Sequence, residues 1–142
     1  MSSERSQPDG GTVLFERLDF LYMPSRNVAA EARYFTHVLG GRLVFAVEDM
    51  GTRVAMLQLT DDSPRLLLAD HLDGERPILV YRVADLRDAL AQLERRGWKA
   101  ERTFQIPHGP CCSFRTEGGH RIALYQLTRP GVERHFEGRH DF

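Results

Sequence analysis

Residues 78–97 read ILVYRVADLRDALAQLERRG, and a second copy of this plan lies in the first half of the chain. ILVYRV is a β-branched and aromatic run of strand type. Asp85 follows at the position of a helix N-cap, where a carboxylate can accept the free N–H groups of the first turn. Leu86, Ala89, Leu90 and Leu93 recur at helical spacing, and Gly97 supplies the stop. Residues 20–40, FLYMPSRNVAAEARYFTHVLG, repeat the sequence of events. Phe20 matches Ile78, Asn27 matches Asp85, Val28 matches Leu86 and Phe35 matches Leu93, all at one constant offset. Gly40 and Gly97 match at an offset one residue shorter. Farther on, Arg65-Leu66-Leu67-Leu68 corresponds to Arg121-Ile122-Ala123-Leu124. An internal repeat of this length is a statement about architecture before it is one about function.

Working outward, each half reads as strand, helix and three strands. The first half has a strand over Thr12–Met23, a helix to about Leu39, and strands over Arg42–Glu48, Arg53–Thr60 and Arg65–Ala69. The second has strands over 78–83, about 99–106, about 111–116 and 121–127, with its helix over 85–96. The expected organisation is a lead-in (1–11), a first βαβββ repeat (12–70), a polar linker (71–77), a second repeat (78–127) and a tail (128–142). The fold class is α+β, two βαβββ repeats forming curved mixed sheets around a cleft. The tail, TRPGVERHFEGRHDF, carries Val132, Phe136 and Phe142 among charges, so it should dock on the body or on a partner subunit.

Composition bounds the function. The chain has 142 residues, 42% hydrophobic and 27% charged, which suits one compact domain. A net charge of −1 gives no electrostatic case for nucleic acid or anionic membrane. No apolar run approaches the ~18 residues of a membrane span. The only two cysteines, Cys111 and Cys112, are adjacent, which excludes a disulfide framework and implies a reduced, cytoplasmic protein. As neighbours in a strand they should point to opposite faces.

The duplicated plan resembles the vicinal oxygen chelate superfamily, which includes glyoxalase I, extradiol dioxygenases and bleomycin resistance proteins. The cues are LDF followed by YFTHVLGG, then VADLRDALAQLERRG, and TEGGHRIALYQL in place of the family's closing hairpin. The resemblance covers roughly Leu18 to Leu127. It implies that metal-using members place ligands at positions equivalent to Phe20, Leu67, Ile78 and Ala123. None of these side chains has a lone pair for a divalent metal, so the resemblance is to a metal-free member with no cofactor.

Strand alternation then selects the cleft. With Phe20, Ile78 and Ala123 inward, Leu18, Tyr22, Val80, Arg82, Tyr125 and Leu127 share their parity. Leu67 joins them as the fourth transferred position, and Phe45, Met56, Phe104 and Phe114 are further walls. The expected site is an aromatic and aliphatic cleft for a small, largely apolar organic molecule, used for sequestration or resistance. The alternative is a metal-free acid–base enzyme using Tyr22, Tyr125, Arg82 or His108. A metal-dependent lyase, isomerase or dioxygenase is disfavoured by the four apolar positions. Of the six histidines, none shows HxH or HExxH spacing, and His108 is best placed to reach a ligand. The apolar inner faces and the tail phenylalanines further predict a homodimer.

Overall fold

A computed structural model describes residues 13–142; the expected lead-in and Thr12 lie outside the described residues. The elements in chain order are β1 (Arg17–Pro24), α1 (Val28–Arg33, continued by a π-helical turn, Tyr34–Val38), β2 (Arg42–Asp49), β3 (Thr52–Gln58) and β4 (Arg65–Ala69). The second set is β5 (Ile78–Val83), α2 (Leu86–Arg95), β6 (Arg102–Ile106), β7 (Gly109–Arg115) and β8 (Arg121–Gln126), followed by a short 3-10 turn, Val132–His135. Both helices begin at the residues with cap chemistry. Asn27 accepts from the Ala30 amide at 3.0 Å and Asp85 from the Asp88 amide at 2.9 Å, each satisfying an orphan donor of the first turn.

The eight strands make one continuous, unclosed sheet in the order β2-β3-β4-β1-β5-β8-β7-β6. The repeats therefore join edge to edge inside one chain, through the antiparallel pair β1–β5. Their equivalence holds to the residue. Phe20 faces Val80 and Tyr22 faces Ile78 across that central seam, so each residue meets the counterpart of the other. In the flanking parallel pairs, Phe20–Arg65 and Tyr22–Leu67 are mirrored by Ile78–Arg121 and Val80–Ala123.

Each helix covers the outer face of its own half. Val28, Ala32 and Phe35 of the first helical segment pack on Ala55, Leu57, Leu66 and Leu68. Leu86, Ala89, Leu90 and Leu93 of α2 pack with Val83, Cys112 and Leu124. The remaining face is the inside of the cup, a third apolar cluster containing Phe20, Phe45, Met56, Val80, Ala123 and Tyr125. Sheet curvature brings side chains from both halves together there, which is where a site can be built. Among the described residues, no helix is long and apolar enough to cross a membrane.

The tail docks within its own chain. Gly138 N donates to Val44 O (2.9 Å), Ala46 N to Arg139 O (2.8 Å) and Asp141 N to Ala46 O (2.7 Å), so the tail borrows the free edge of β2. Phe136 stacks on Phe45 with ring centroids 5.5 Å apart. Phe142 packs at the α1 side with the Arg53 guanidinium 4.7 Å above its ring. The inner faces and tail aromatics that motivated a partner subunit are thus covered by the chain itself.

Candidate functional site

Most of the residues chosen by strand parity do face inward. Phe20, Val80, Ala123 and Tyr125 are buried in the inner cluster, and Tyr22, Leu67, Ile78 and Phe104 pack against it. Two assignments need correction. Phe114 pairs with Ile122 and packs edge-on against Trp98, centroids 5.3 Å apart, in the α2-side cluster. Phe104 lies opposite Cys111 and Ala123 opposite Ser113, so odd-numbered residues of β7 face the cup and Phe114 falls on the other parity. Leu18 also leaves the cup, because the β1–β5 register slips between Leu18 and Phe20 and Asp19 becomes the extra residue of a bulge. Leu18 then pairs with Tyr81, whose ring belongs to the α2 side. Cys111 and Cys112 divide between the inner and outer clusters as expected for neighbours in a strand. Burial pushes the Cys111 thiol up to about 12, far from the range of a reactive thiolate.

The inner face is mostly filled by its own side chains. Open space remains at one end of the cup, in a pocket of about 240 Å³. Of the expected site residues, Phe20, Arg82 and Tyr125 line it, joined by His108 and Leu127. Tyr22 lies away from it, its hydroxyl 3.0 Å from His71 Nε2. The rim is more polar than an aromatic cleft, because Arg17, Asp19, Arg65 and Glu133 also contribute.

Asp19 holds one side of the pocket. Its side chain is only 8% exposed. Arg17 Nε lies 2.9 Å from Oδ1, and the Tyr125 hydroxyl donates to Oδ2 at 2.5 Å. Arg82 Nε is 3.0 Å from Oδ2 as an ion pair, without the alignment of a hydrogen bond. A carboxylate so deeply buried is tolerable because two guanidiniums and a hydroxyl replace its water. Arg17 extends the network to Asp62 at 3.2 Å and to Ser63 in the β3–β4 turn. Burial first, and then the hydrogen bond to Asp19, drive the Tyr125 pKa far above the ordinary phenol value. Tyr125 is therefore a fixed donor at neutral pH rather than a base.

Glu133, from the tail, holds the other side. Arg65 Nη1 lies 2.6 Å from its Oε1 and His108 Nε2 is 3.0 Å from its Oε2. The hydrogen bond from His108 and the nearby Arg65 charge hold the Glu133 carboxyl below its usual range. A carboxylate only accepts, so His108 carries its proton on Nε2 in this contact. His108 Nδ1 is left buried with no hydrogen-bond partner. Its ring completes an aromatic group, 5.3 Å from Phe20 and 5.8 Å from Tyr125. The backbone fixes it there. Thr128 N and Arg129 N donate to His108 O at 3.0 and 3.1 Å. Gly109 follows at φ 152°, where a Cβ would sit 2.1 Å from Gln126 O, so no larger residue fits.

The fold family's metal does not suit these residues. Phe20, Leu67, Ile78 and Ala123 offer no donor atom. Among the described residues, no group of three or more His, Cys, Asp or Glu side chains is arranged to hold a metal ion. Asp19 and Glu133 spend their oxygens on arginine, tyrosine and histidine.

This chain has the paired βαβββ fold of the vicinal oxygen chelate superfamily, with a pocket where the bulge in β1 and the tail meet. The solved structures it resembles include methylmalonyl-CoA epimerase from Mycobacterium tuberculosis, at TM-score 0.69 and 19% identity over 84% of this chain and 93% of that one. A Streptomyces coelicolor methylmalonyl-CoA epimerase in complex with 2-nitronate-propionyl-CoA matches at TM-score 0.66 and 15% identity, over 81% and 96%. A hypothetical protein from Bacillus halodurans C-125 matches at TM-score 0.65 and 11% identity, over 78% and 93%. At such identities the likeness is one of fold. No protein-family model and no curated protein matches the sequence.

Sequence reasoning did not select Arg17, Asp19, Arg65 or Glu133. The available signal for Asp19 was a lone charge inside the apolar run LDFLY. Replacing Asp19 by alanine leaves Arg17 and Arg82 facing each other over an unfilled Tyr125 contact. The expected loss is ~2–3 kcal/mol, below the ~3–5 of a fully buried pair because both arginines keep some solvent; denaturant unfolding measures it, and a change under ~0.5 kcal/mol would contradict the network. Glu133 is expected to contribute about 1 kcal/mol through its partly exposed contacts. Because its folded pKa is depressed, this stabilisation is present above the unfolded value of ~4.3 and is lost as pH falls through the folded one. The Tm gap between wild type and Glu133→Gln should therefore be present at neutral pH and close in acid. A gap independent of pH would show that Glu133 acts through shape alone.

Proposed function

We propose that this chain is a small-molecule binding protein that holds its ligand, without metal, in the pocket beside the Asp19 bulge. The observation that carries this reading is the composition of that pocket. Its lining is mainly polar and charged, with Arg17, Arg65, Arg82, Asp19, His108 and Tyr125 around the space and Phe20 and Leu127 supplying a smaller apolar part. Polar groups that converge on a concave space can hold and orient a small ligand there. The likeness to epimerase structures, one holding 2-nitronate-propionyl-CoA, supports a cup that takes small molecules. The apolar set Phe20, Leu67, Ile78 and Ala123 supports binding or sequestration over metal-assisted chemistry. The paired cysteines are free and buried, in keeping with a reducing, cytoplasmic setting. Exposed Tyr34, Val38 and Leu39 at the end of the first helical segment support a homodimer through that face.

An acid–base enzyme of the same fold is the second reading, favoured by the His108–Glu133 hydrogen bond within the pocket. Turnover of a bound compound by wild type, lost on His108→Gln, selects it over simple binding.

A metabolite and drug panel screened by thermal shift tests the main reading. A ligand at one hundred times its Kd stabilises by about 2.7 kcal/mol, which raises Tm by roughly 5–10 °C for a domain of this size. Hits should lose that shift in Leu127→Trp, which fills the pocket. Hits that stabilise Leu127→Trp equally would place binding elsewhere and overturn the proposal.

A further inference from the structure

Glu133 does not belong to either repeat. The second repeat ends with β8 at Gln126, and Glu133 comes from the segment beyond it. Its partners come from opposite halves, Arg65 at the start of β4 and His108 in the β6–β7 turn, and both meet its carboxylate. Strand pairing does not require this contact. What it produces is a cationic donor at 2.6 Å and an imidazole N–H at 3.0 Å converging on one carboxylate beside the open pocket. Resting on the reading of this pocket as a ligand site, we propose that Glu133 occupies the seat of a ligand carboxylate. Arg65 and His108 then form the anion-binding end of the pocket, and the tail is a strap that a small carboxylic acid displaces.

The attachment of the strap fits that role. Its two ends are tied firmly. At the near end, Arg129 Nε donates to Pro107 O at 2.6 Å and its Nη2 to Ile106 O at 2.7 Å. At the far end, Gly138 to Asp141 run along the edge of β2 through backbone hydrogen bonds. Between them the four-residue turn Val132–His135 has no buried residue. The middle of the strap is held on the cup by Glu133 itself and by Phe136 on Phe45. Contacts this few make a segment that opens at low free-energy cost while its ends stay fixed. The departing Glu133 leaves two donors that need a new acceptor, since an arginine and a histidine N–H in a half-buried site are costly to leave unpaired. Beside them Phe20, Leu127 and Pro130 give the pocket its apolar part, while Asp19, Asp61 and Asp62 also line it, so the ligand class is a small carboxylic acid with a single anionic group and an apolar or aromatic body.

Benzoate and its neutral counterpart benzamide are the probes, titrated calorimetrically into full-length protein. A pocket closed by its own carboxylate for about five-sixths of the time binds about sixfold more weakly than an open one. Glu133→Gln removes the competing charge, so its benzoate affinity should exceed that of wild type by about 5-fold. Phe136→Ala, which loosens the strap away from the anion seat and retains Glu133, should also tighten benzoate binding. Arg65→Gln should abolish it, benzamide should bind none of these proteins comparably, and benzoate should accelerate tryptic cleavage at Arg134 in wild type. Equal benzoate affinity in wild type and Glu133→Gln, no benzoate binding in Glu133→Gln, or equal binding of benzamide overturns the proposal. The pocket reading has its own test: panel hits that are blocked by Leu127→Trp but are indifferent to Glu133→Gln would keep the pocket and remove the anion seat.

Discussion

The antiparallel seam between β1 and β5 is the constraint on which everything else in this chain depends. It joins the two repeats, and it carries one irregularity, the extra residue at Asp19. A regular strand would place residues 18, 20 and 22 on one face. The bulge puts Leu18 with Tyr81 on the outer side and turns Asp19 toward Arg17, Arg82 and Tyr125. The charged group is thus a consequence of one slipped residue, and it decides which end of the cup stays polar and open. Bulges that aim a side chain are common beside functional sites.

The same seam explains why the inner face divides into a filled part and an empty part. Toward Tyr22 and Ile78, aromatic and aliphatic side chains from four adjacent strands pack together, as a close-packed interior does. Toward Arg17 and Arg82, the guanidiniums gather on the Asp19 carboxylate and leave the volume beside them open. The pocket lies there, between a carboxylate network fixed by the strands and a second carboxylate brought by the tail. Asp19 is nearly inaccessible, while Glu133 is 23% exposed in its side chain and sits on a segment with little burial of its own. One carboxylate is part of the scaffold and the other is removable.

Much of the architecture was legible in the residues because it is written in local chemistry. The cap residues Asn27 and Asp85, the helical faces of Val28–Ala32–Phe35 and Leu86–Ala89–Leu93, and the matched offsets between halves all correspond to what the fold contains. Inward parity held for Phe20, Ile78, Val80, Ala123 and Tyr125, since alternation is reliable within an unbroken strand. It failed at Leu18, where a bulge changes the count, and at Phe114, which shares the parity of Cys112 on the α2 side. The polar half of the site was legible in Arg82, Tyr125 and His108 but not in Arg17, Asp19, Arg65 or Glu133. Arg65, Glu133 and His108 come together through tertiary docking of the tail, and nothing in their local sequence encodes that meeting. The tail's apolar residues did announce that it would dock, though the edge of β2 in the same chain had to be found in the fold.

The proposed metal-free reading rests on hydrocarbon side chains at four strand positions facing the cup. Phe20, Leu67, Ile78 and Ala123 stand at adjoining strands with hydrocarbon side chains, and the two nearby carboxylates are committed to arginine, tyrosine and histidine. Elemental analysis of the purified protein, incubated with nickel, cobalt, manganese and zinc and then desalted, tests this directly. Far less than one metal ion per chain and no change in Tm on adding EDTA are expected. About one tightly retained ion per chain, with a Tm that falls on chelation, would contradict the metal-free reading.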